Sequence, residues 1–373
     1  MAIKLLHTGD LHLDAPFIFL GEKGRDQRQQ LLVTLDKIIE QAIVEKIDLV
    51  LIAGDLFDSN NPSYDTIDRV ISSFKILEEA NIPICLIPGC HDCYNSKSVY
   101  RLYSFEEAVS NLTIFTDKIT QKVFPGLDLT VHGQATFRSG AGQTLNENLT
   151  RNSNTKFHIA LIHGTFGDPG NLKEGSLATK QINENDMNYV AMGHSHSFAR
   201  YSKNAMKAFF CGSPEMLSLE EENSGFVAMV TIHPSGEVDV QPKRVGRCHF
   251  RTDEIKVDDI TDADQITEII KNQVNPHQYL EVRLRGSCSF DLEIDPEKLE
   301  RELEPYFFKL RLLDETRPKL QEIPDGSLPE NTVIGQFVKI MRDELDSSVG
   351  EEKRLAEDVL RLGVRLLRGK RSP

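Results

Sequence analysis

Residues 49–55 read Leu-Val-Leu-Ile-Ala-Gly-Asp, a continuous apolar run that ends on a glycine and a carboxylate. An apolar run of this length without polar alternation is typical of a strand that is buried on both faces of a sheet. Comparable runs lie at residues 3–7 and 82–87, and the segments 27–45 and 64–80 between them have helical periodicity. This β-α-β-α-β order predicts an α/β layered domain.

Further strands are predicted downstream of this first part. They lie at residues 158–163, 189–192, 205–211 and 225–232. The segment 140–155 is rich in Asn, Thr and Gly, and it is predicted to be a surface loop.

The chain of 373 residues is too long for one ordinary core, and we divide it into three parts. Residues 1–243 form the layered domain. Residues 244–322 are predicted to form a small α/β cap domain with two helices and two strands. Residues 323–373 comprise a linker, recognised by its Pro and Gly content, and two amphipathic C-terminal helices.

Composition and charge narrow the class of protein. No apolar run reaches the roughly 18 residues that a membrane span needs, and the N-terminus lacks a signal-peptide pattern, so we expect a cytoplasmic protein without membrane contact. The six cysteines are scattered, which favours reduced thiols over a disulfide framework. The net charge of −14 argues against a broad surface that coats nucleic acid, but it does not exclude a nuclease with a local basic groove.

Five short polar motifs each follow the end of a predicted strand. In an open α/β sheet these strand ends converge and bind ligands, so residues that are distant in sequence are expected to meet around one point. The motifs are Asp10-Leu11-His12, Gly54-Asp55, Gly89-Cys90-His91-Asp92, His163-Gly164 and Gly193-His194-Ser195-His196.

The residue types in these motifs indicate metal chemistry. Carboxylates and imidazoles suit Mn²⁺, Fe²⁺ and Zn²⁺, and one carboxylate can bridge two ions. Two ions about 3.5–4 Å apart can stabilise both the attacking and the leaving oxygen of a phosphoryl displacement. Each motif alone is common in proteins, but the ordered set of five predicts the binuclear metal site of a phosphoesterase.

The ordered set resembles the calcineurin-like metallophosphoesterase superfamily, whose pattern is D-x-H, G-D, G-N-H-[DE], H and G-H-x-H, over about residues 1–240. The resemblance implies a four-layer α/β/β/α sandwich, to which the small α/β cap domain and the C-terminal helices are attached. It also implies two divalent metal ions, with Mn²⁺ expected and Fe²⁺ or Zn²⁺ as alternatives. By this match, one ion is held by Asp10, His12, Asp55 and His196, and the second by the bridging Asp55 with His163 and His194.

The third motif supplies the expected catalytic residues and one departure from the pattern. By the same resemblance, His91 stands near the leaving-group oxygen as an acid or transition-state stabiliser, and Asp92 orients it. Cys90 replaces the family Asn, whose amide oxygen reaches the second ion. A thiolate at Cys90 would favour Zn²⁺ over Mn²⁺, and a neutral thiol would leave the second ion with fewer ligands. Two further interpretations remain. In one, Cys90 is a small buried residue that the site tolerates, and in the other it has a redox role together with Cys93.

Two segments narrow the resemblance to DNA repair exonucleases of the SbcD/YhaO type. Residues 54–63 read Gly-Asp-Leu-Phe-Asp-Ser-Asn-Asn-Pro-Ser, similar to the G-D-L-F-x-x-x-x-P-S segment of that group, and Cys-Gly-Ser-Pro at 211–214 is similar to another of its segments. The resemblance implies DNA as substrate and an SMC-like ATPase of the SbcC/YhaN type as a partner that docks on the C-terminal helices. Related nucleases are often dimers, so a homodimer is also considered.

Other interpretations stay open. The same scaffold would serve a phosphodiesterase or phosphatase that acts on a small molecule or a phosphoprotein, and Cys90 would also fit a weakly active, metal-depleted scaffold. The apolar faces of the C-terminal helices fit docking onto a partner, and they equally fit packing within the protein itself. The basic stretch 361–371 would contact DNA phosphates or form a solvated helix face.

Overall fold

The computed structural model describes residues 1–116, 118, 120–136, 151, 153–167, 176–178, 187–201, 207–218, 221, 223–247, 249–289, 292, 294–319 and 331–367. The chain separates into two compact units, Met1–His249 and Phe250–Pro373. The domain borders at residues 243 and 322 stay a prediction. The predicted linker at 323–329 and most of the predicted loop at 140–155 lie outside the described residues.

The first unit contains two six-stranded sheets. Its helices are α1 (Gly24–Val44), α2 (Tyr64–Glu79), α3 (Val99–Leu102) and α4 (Phe105–Ala108). Its strands are β1 (Ile3–Thr8), β2 (Leu49–Ala53), β3 (Ile84–Ile87), β4 (Leu112–Ile114), β5 (Thr120–Phe124), β6 (Leu129–Gly133), β7 (Phe157–His163), β8 (Thr165–Gly167), β9 (Ser176–Ala178), β10 (Tyr189–Gly193), β11 (Ala199–Tyr201), β12 (Ala208–Phe210), β13 (Phe226–Ile232) and β14 (Val238–Arg244).

Both sheets have a parallel centre. The first has the order β14-β13-β1-β2-β3-β4, in which β1 to β4 are parallel and β13 and β14 are antiparallel. The second has the order β11-β12-β10-β7-β6-β5, in which β12, β10, β7 and β6 are parallel. Because the carboxyl ends of parallel strands lie at one edge of a sheet, the loops after β1, β2 and β3 come together, as do those after β7 and β10.

The two sheets share one apolar core. Alternate strand residues point to one face, so the central strands contribute every second side chain to the core. A polar contact crosses this core, between His7 Nδ1 and the Tyr189 hydroxyl at 2.8 Å. Burial lowers the pKa of His7 to about 3, so this ring is neutral at physiological pH. The core includes Leu5, Leu49, Leu51, Ile87, Val131, Ile159, Leu161, Ala191 and Val230.

The outer faces of the sheets are also covered. Helix α2 starts at Ser63, whose hydroxyl caps it by accepting a hydrogen bond from the Thr66 amide. Helices α1 and α2 pack against each other and have buried apolar stripes, and the outward residues of the first sheet are buried as well. The second sheet buries its own outer cluster, which includes Ile162, Val190 and Met192. The predicted fold class, an α/β sandwich, is confirmed. The buried residues on the first sheet's side are Leu6, Leu31, Leu35, Ile38, Val50, Ile52, Val70, Phe74 and Leu77.

The second unit contains a small α/β arrangement, with a strand, β15, that the sequence did not predict. A three-stranded sheet has the order β15-β16-β18, and its core includes Leu280, Val282 and Leu310 together with Ile266 and Leu299 of the helices. The elements are β15 (His249–Lys256), α5 (Ala263–Lys271), β16 (Asn275–Arg285), β17 (Ser287–Cys288), α6 (Pro296–Leu303), β18 (Phe307–Asp314) and β19 (Arg317–Pro318).

Two C-terminal helices, α7 (Val333–Ser347) and α8 (Gly350–Leu367), pack against each other. Gly363 lies against the Phe337 ring, which leaves no room for a Cβ there. The described helices include none that is long and apolar enough to cross a bilayer. The residues that pack between α7 and α8 are Ile334, Phe337, Val338, Met341, Leu345, Ala356, Leu360 and Val364.

We predict that Leu51→Ala lowers the free energy of unfolding by about 2–5 kcal/mol, because it leaves a cavity between the sheets. The Leu51 side chain is fully buried in the central strand β2. Urea denaturation followed by circular dichroism measures the change. Val33→Ala on α1 is the control, since Val33 is 54% exposed and its loss should change the free energy by no more than about 0.5 kcal/mol. Equal effects of the two changes would contradict the assigned core.

Candidate metal centre

The five sequence motifs meet where the two sheets face each other. Strand β2 of the first sheet contacts both β7 and β10 of the second sheet. Asp10 follows β1 and Asp55 follows β2, while His163 ends β7 and His194 follows β10. The carboxyl ends of these strands therefore deliver carboxylates from one sheet and imidazoles from the other to a single point.

The backbone around this point is tightly packed. Gly54 has a φ of 88°, and a Cβ there would collide with the His163 ring. A Cβ at Gly89 would collide with Asp55. Asp10 and Asp55 have positive φ values of 51° and 50°, a conformation that costs about 1–3 kcal/mol per residue and persists only where the surroundings enforce it.

Asp55 lies at the centre of the cluster. Its Oδ2 lies 3.1 Å from His163 Nε2, 3.7 Å from His12 Nε2 and 3.4 Å from Cys90 Sγ. Its Oδ1 accepts a hydrogen bond of 2.8 Å from the backbone amide of His91. One carboxylate therefore contacts the histidines on both sides, as a bridging ligand would.

The first group of donors comprises Asp10, His12 and His196, whose ligand atoms lie within 4.8 Å of one another. His12 Nδ1 donates to Asp58 Oδ1 at 3.0 Å, and His196 Nδ1 donates to Glu221 Oε1 at 2.5 Å. A carboxylate that accepts from Nδ1 fixes the tautomer and leaves Nε2 as the lone-pair donor, which is the arrangement that metal-binding histidines use.

The second group comprises Cys90, His163 and His194, again with ligand atoms within 4.8 Å of one another. His163 Nδ1 lies 2.8 Å from the Ala53 carbonyl oxygen, and since a carbonyl only accepts, Nδ1 is the donor. His163 Nε2 therefore faces Asp55 and Cys90. Burial and the neighbouring His163 lower the pKa of His194 to about 4, so its ring is neutral.

The residues fit a pair of divalent ions. His12 Nε2 is buried and has no hydrogen-bond partner in the described part of the chain, which is costly unless another group takes its lone pair. Burial raises the pKa of Asp10 to about 6, although His163 and His196 oppose this shift. Burial would also raise the pKa of Asp55, but His163 and His12 lower it below its ordinary value. A cation would stabilise both carboxylates and use the free nitrogen.

His91 and Asp92 lie beside these donors, but they do not interact as expected. The His91 ring packs edge-on against His12, with ring centroids 4.5 Å apart, and its Nδ1 donates to the Asp58 carbonyl oxygen at 3.1 Å. The Asp92 carboxylate instead accepts from the Gly89 amide, the Phe57 amide and the Tyr100 hydroxyl, so Asp92 supports the loop backbone. The expectation that Asp92 orients the His91 ring is therefore wrong, and Asp58 has that role.

Two positioning residues, Asp58 and Glu221, were not predicted from the sequence. Asp58 lies within the segment 54–63, where an acidic residue close to an Asp-x-His motif is a usable signal. Glu221 offers no such signal, because it lies 25 residues from His196 in a stretch of three consecutive glutamates. Its second oxygen accepts a hydrogen bond from the Ser213 hydroxyl at 3.1 Å, so the 211–214 segment helps to hold Glu221 in place.

Known proteins resemble the chain in this region and beyond it. A family model described as calcineurin-like phosphoesterase matches residues 3–198. The chain is 24% identical over 295 residues to the uncharacterized metallophosphoesterase YhaO of Bacillus subtilis, covering 76% of this chain and 69% of YhaO. It is 23% identical over 357 residues to the DNA double-strand break repair protein Mre11 of Methanosarcina mazei, covering 94% of this chain and 54% of Mre11. The SbcD component of the nuclease SbcCD of Staphylococcus saprophyticus is 35% identical over 91 residues, 24% of this chain and 23% of that protein.

The fold and the two donor groups around one carboxylate define a metallophosphoesterase, and the predicted hydrolase of phosphodiester bonds is confirmed at the level of this class. The chain belongs to the calcineurin-like phosphoesterase family, whose model covers more than half of it. The resemblance to the SbcD type is also confirmed, because the relatives are YhaO, Mre11 and SbcD.

We predict that Asp92→Ala lowers the free energy of unfolding by at least about 3 kcal/mol, because three donors, two of them backbone amides, lose their acceptor in a buried loop. Thermal and urea denaturation measure the loss. Asp68→Ala on the exposed side of α2 is the matched control and should be close to neutral. An Asp92→Ala protein as stable as this control would contradict the supporting role.

Proposed function

We propose that the chain is a metal-dependent DNA nuclease, an exonuclease or endonuclease that hydrolyses phosphodiester bonds with two divalent ions in DNA repair. The observation that carries this proposal is the position of Asp55, which lies between two separate groups of metal-binding donors. A two-ion phosphoesterase site needs such a shared carboxylate.

The proposed ligands divide into two sets. When bound, two divalent ions would neutralise charge on the phosphate and lower the pKa of the attacking water. Carboxylates and imidazoles fit Mn²⁺, which we propose for the first site, and they also fit Fe²⁺ and Zn²⁺. The first set is Asp10, His12, Asp55 and His196, and the second is Asp55, His163 and His194 with Cys90 beside them.

The residues around these sets hold them in place. Asp58, Glu221 and the Ala53 carbonyl each accept a hydrogen bond from a histidine Nδ1, which fixes three ring orientations before any substrate arrives. The His194 amide donates to both oxygens of Asp10, at 2.9 Å each, and so fixes that carboxylate. Little reorganisation is then needed during the reaction.

His91 is placed to act on the substrate. Its side chain is 46% exposed, whereas those of His12 and His163 are at most 4% exposed. Its Nδ1 donates to the Asp58 carbonyl oxygen, which leaves Nε2 for a phosphate or leaving-group oxygen, to which the imidazolium form of the ring would donate a hydrogen bond. The site is therefore approached from the His91 side, and a phosphate within a long polymer can reach it there.

Two observations support DNA as the substrate and an ATPase as the partner. The relatives with printed functions are a DNA double-strand break repair protein and a component of a nuclease. One apolar stripe of α8 points away from α7, because Leu355, Val359, Leu362 and Leu366 are 40–67% exposed while Leu360 and Val364 fill the contact with α7. Helix α8 thus has one apolar face against α7 and a second one that is exposed. We propose that the exposed face docks on the coiled coil of an SMC-like ATPase of the SbcC/YhaN type.

We predict that Asp55→Ala and His194→Ala each reduce Mn²⁺-dependent cleavage of duplex DNA ends by at least about 100-fold and lower the bound metal per chain. Gel-resolved cleavage and metal analysis of the same preparations measure this. Asp239→Ala and His233→Ala are matched controls, since these residues form an exposed pair on the far strand β14 and its turn, and both should keep full activity.

The same assays distinguish the alternatives. Cleavage of a chromogenic phosphodiester or a phosphopeptide without cleavage of DNA would contradict the nuclease. Fewer than one ion per chain, together with no cleavage of any ester, would contradict an enzyme and favour the metal-depleted scaffold.

We predict that the double change Leu355→Glu and Leu362→Glu abolishes binding to the purified SMC-like ATPase of the same organism, since the two charges would be buried on docking. Isothermal titration calorimetry measures binding, and DNA cleavage by the free protein should be unchanged. Leu102→Glu is the control, because Leu102 is 67% exposed on α3. Undiminished affinity in the double variant would remove α8 as the docking surface.

A further inference from the structure

Cys90 lies inside the second group of donors. Its Sγ is 3.4 Å from His163 Nε2, 3.6 Å from His194 Nδ1 and 3.4 Å from Asp55 Oδ2. The residue is only 4% exposed. A thiol that serves only as a filler would be surrounded by apolar side chains, whereas this sulfur faces three metal-binding atoms from three other strand ends.

These separations match the edges of a tetrahedral metal site. With bond lengths of about 2.3 Å to sulfur and about 2.0 Å to nitrogen or oxygen, tetrahedral geometry places sulfur about 3.5 Å from each of the other ligands. The three observed distances from Sγ fall within about 0.1 Å of this value. His163 Nε2 and Asp55 Oδ2 are 3.1 Å apart, near the shorter nitrogen–oxygen edge of the same geometry.

The other cysteines of the described chain have different surroundings. Cys93 Sγ accepts from the side-chain amide of Asn95 at 3.1 Å and from that of Asn60 at 3.7 Å. Cys85 belongs to the apolar core between the sheets. Among the described residues, Cys90 is the cysteine that enters groups of potential metal ligands, and Cys93 on the same loop provides a matched control.

We propose that Cys90 binds the second ion as a thiolate and makes this position selective for Zn²⁺ over Mn²⁺, while the first position keeps only oxygen and nitrogen donors and accepts Mn²⁺. The proposal rests on the proposed metal centre and names the ion that its second position takes. On binding, the S–H bond breaks, the proton leaves to water, and the sulfur electron pair forms the bond to the ion. A soft sulfur donor favours Zn²⁺, and four donors satisfy its tetrahedral preference.

The test uses Co²⁺ as a spectroscopic probe of the full-length, metal-free protein. A thiolate bound to Co²⁺ gives a near-ultraviolet charge-transfer band that oxygen and nitrogen ligands do not give. We expect this band in the native protein and in Cys93→Ser, and we expect it to be absent in Cys90→Ser and Cys90→Asn, which should still bind Co²⁺ at the first position. Circular dichroism establishes that each variant is folded.

A competition titration with a chromophoric Zn²⁺ chelator measures selectivity. The affinity of the second position for Zn²⁺ should fall at least about 10-fold in Cys90→Asn, while its affinity for Mn²⁺ is unchanged or rises. Two bound Co²⁺ ions without the charge-transfer band, or an unaltered Zn²⁺ affinity in Cys90→Asn, would overturn the role of Cys90 and leave the metal centre intact. Absence of any bound Co²⁺ would overturn the metal centre itself.

Discussion

The contact of His163 with the turn at Ala53 and Asp55 is the constraint on which the rest of the site depends. One ring nitrogen donates to the Ala53 carbonyl and the other faces the Asp55 carboxylate, so a residue of the second sheet is anchored twice to the first. The contact requires Gly54 between the two partners, because any Cβ there would occupy the space of the ring. The contact therefore ties the second donor group directly to Asp55 of the first sheet.

The same contact accounts for the electrostatics of the cluster. Burial disfavours charge on Asp10, Asp55 and His163 alike. His163 nevertheless has its pKa raised well above the ordinary value, because Asp55 lies beside it, and the two form a buried ion pair. A divalent ion bound at this position would take over from the His163 proton as the counter-charge of Asp55. Binding of the ion would then be coupled to release of that proton.

The strands and the candidate metal-binding residues at their ends could be predicted from the sequence. The residues that orient these ligands could not. A run such as residues 49–55 is apolar because the strand is buried on both faces. The end of the run therefore shows, from the sequence alone, where the strand ends and the site begins. Glu221 reaches His196 only through tertiary structure, and no periodicity carries that information. The stripes of α7 and α8 look alike in sequence, yet one packs inside the helix pair and the other is exposed. Spacing defines a face but does not identify its partner.

The cysteine at position 90 lies on a loop whose backbone is held by neighbouring residues. Asp92 accepts from the Gly89 amide, Asp55 accepts from the His91 amide, and Gly89 packs against Asp55, so the backbone on either side of Cys90 is held by contacts independent of its side chain. The Cys90 sulfur therefore points at His163 and His194 from a backbone that is held independently of it. Because the geometry is set by the loop, a cysteine in place of the family Asn alters the chemical preference for the ion more than the ability to hold one.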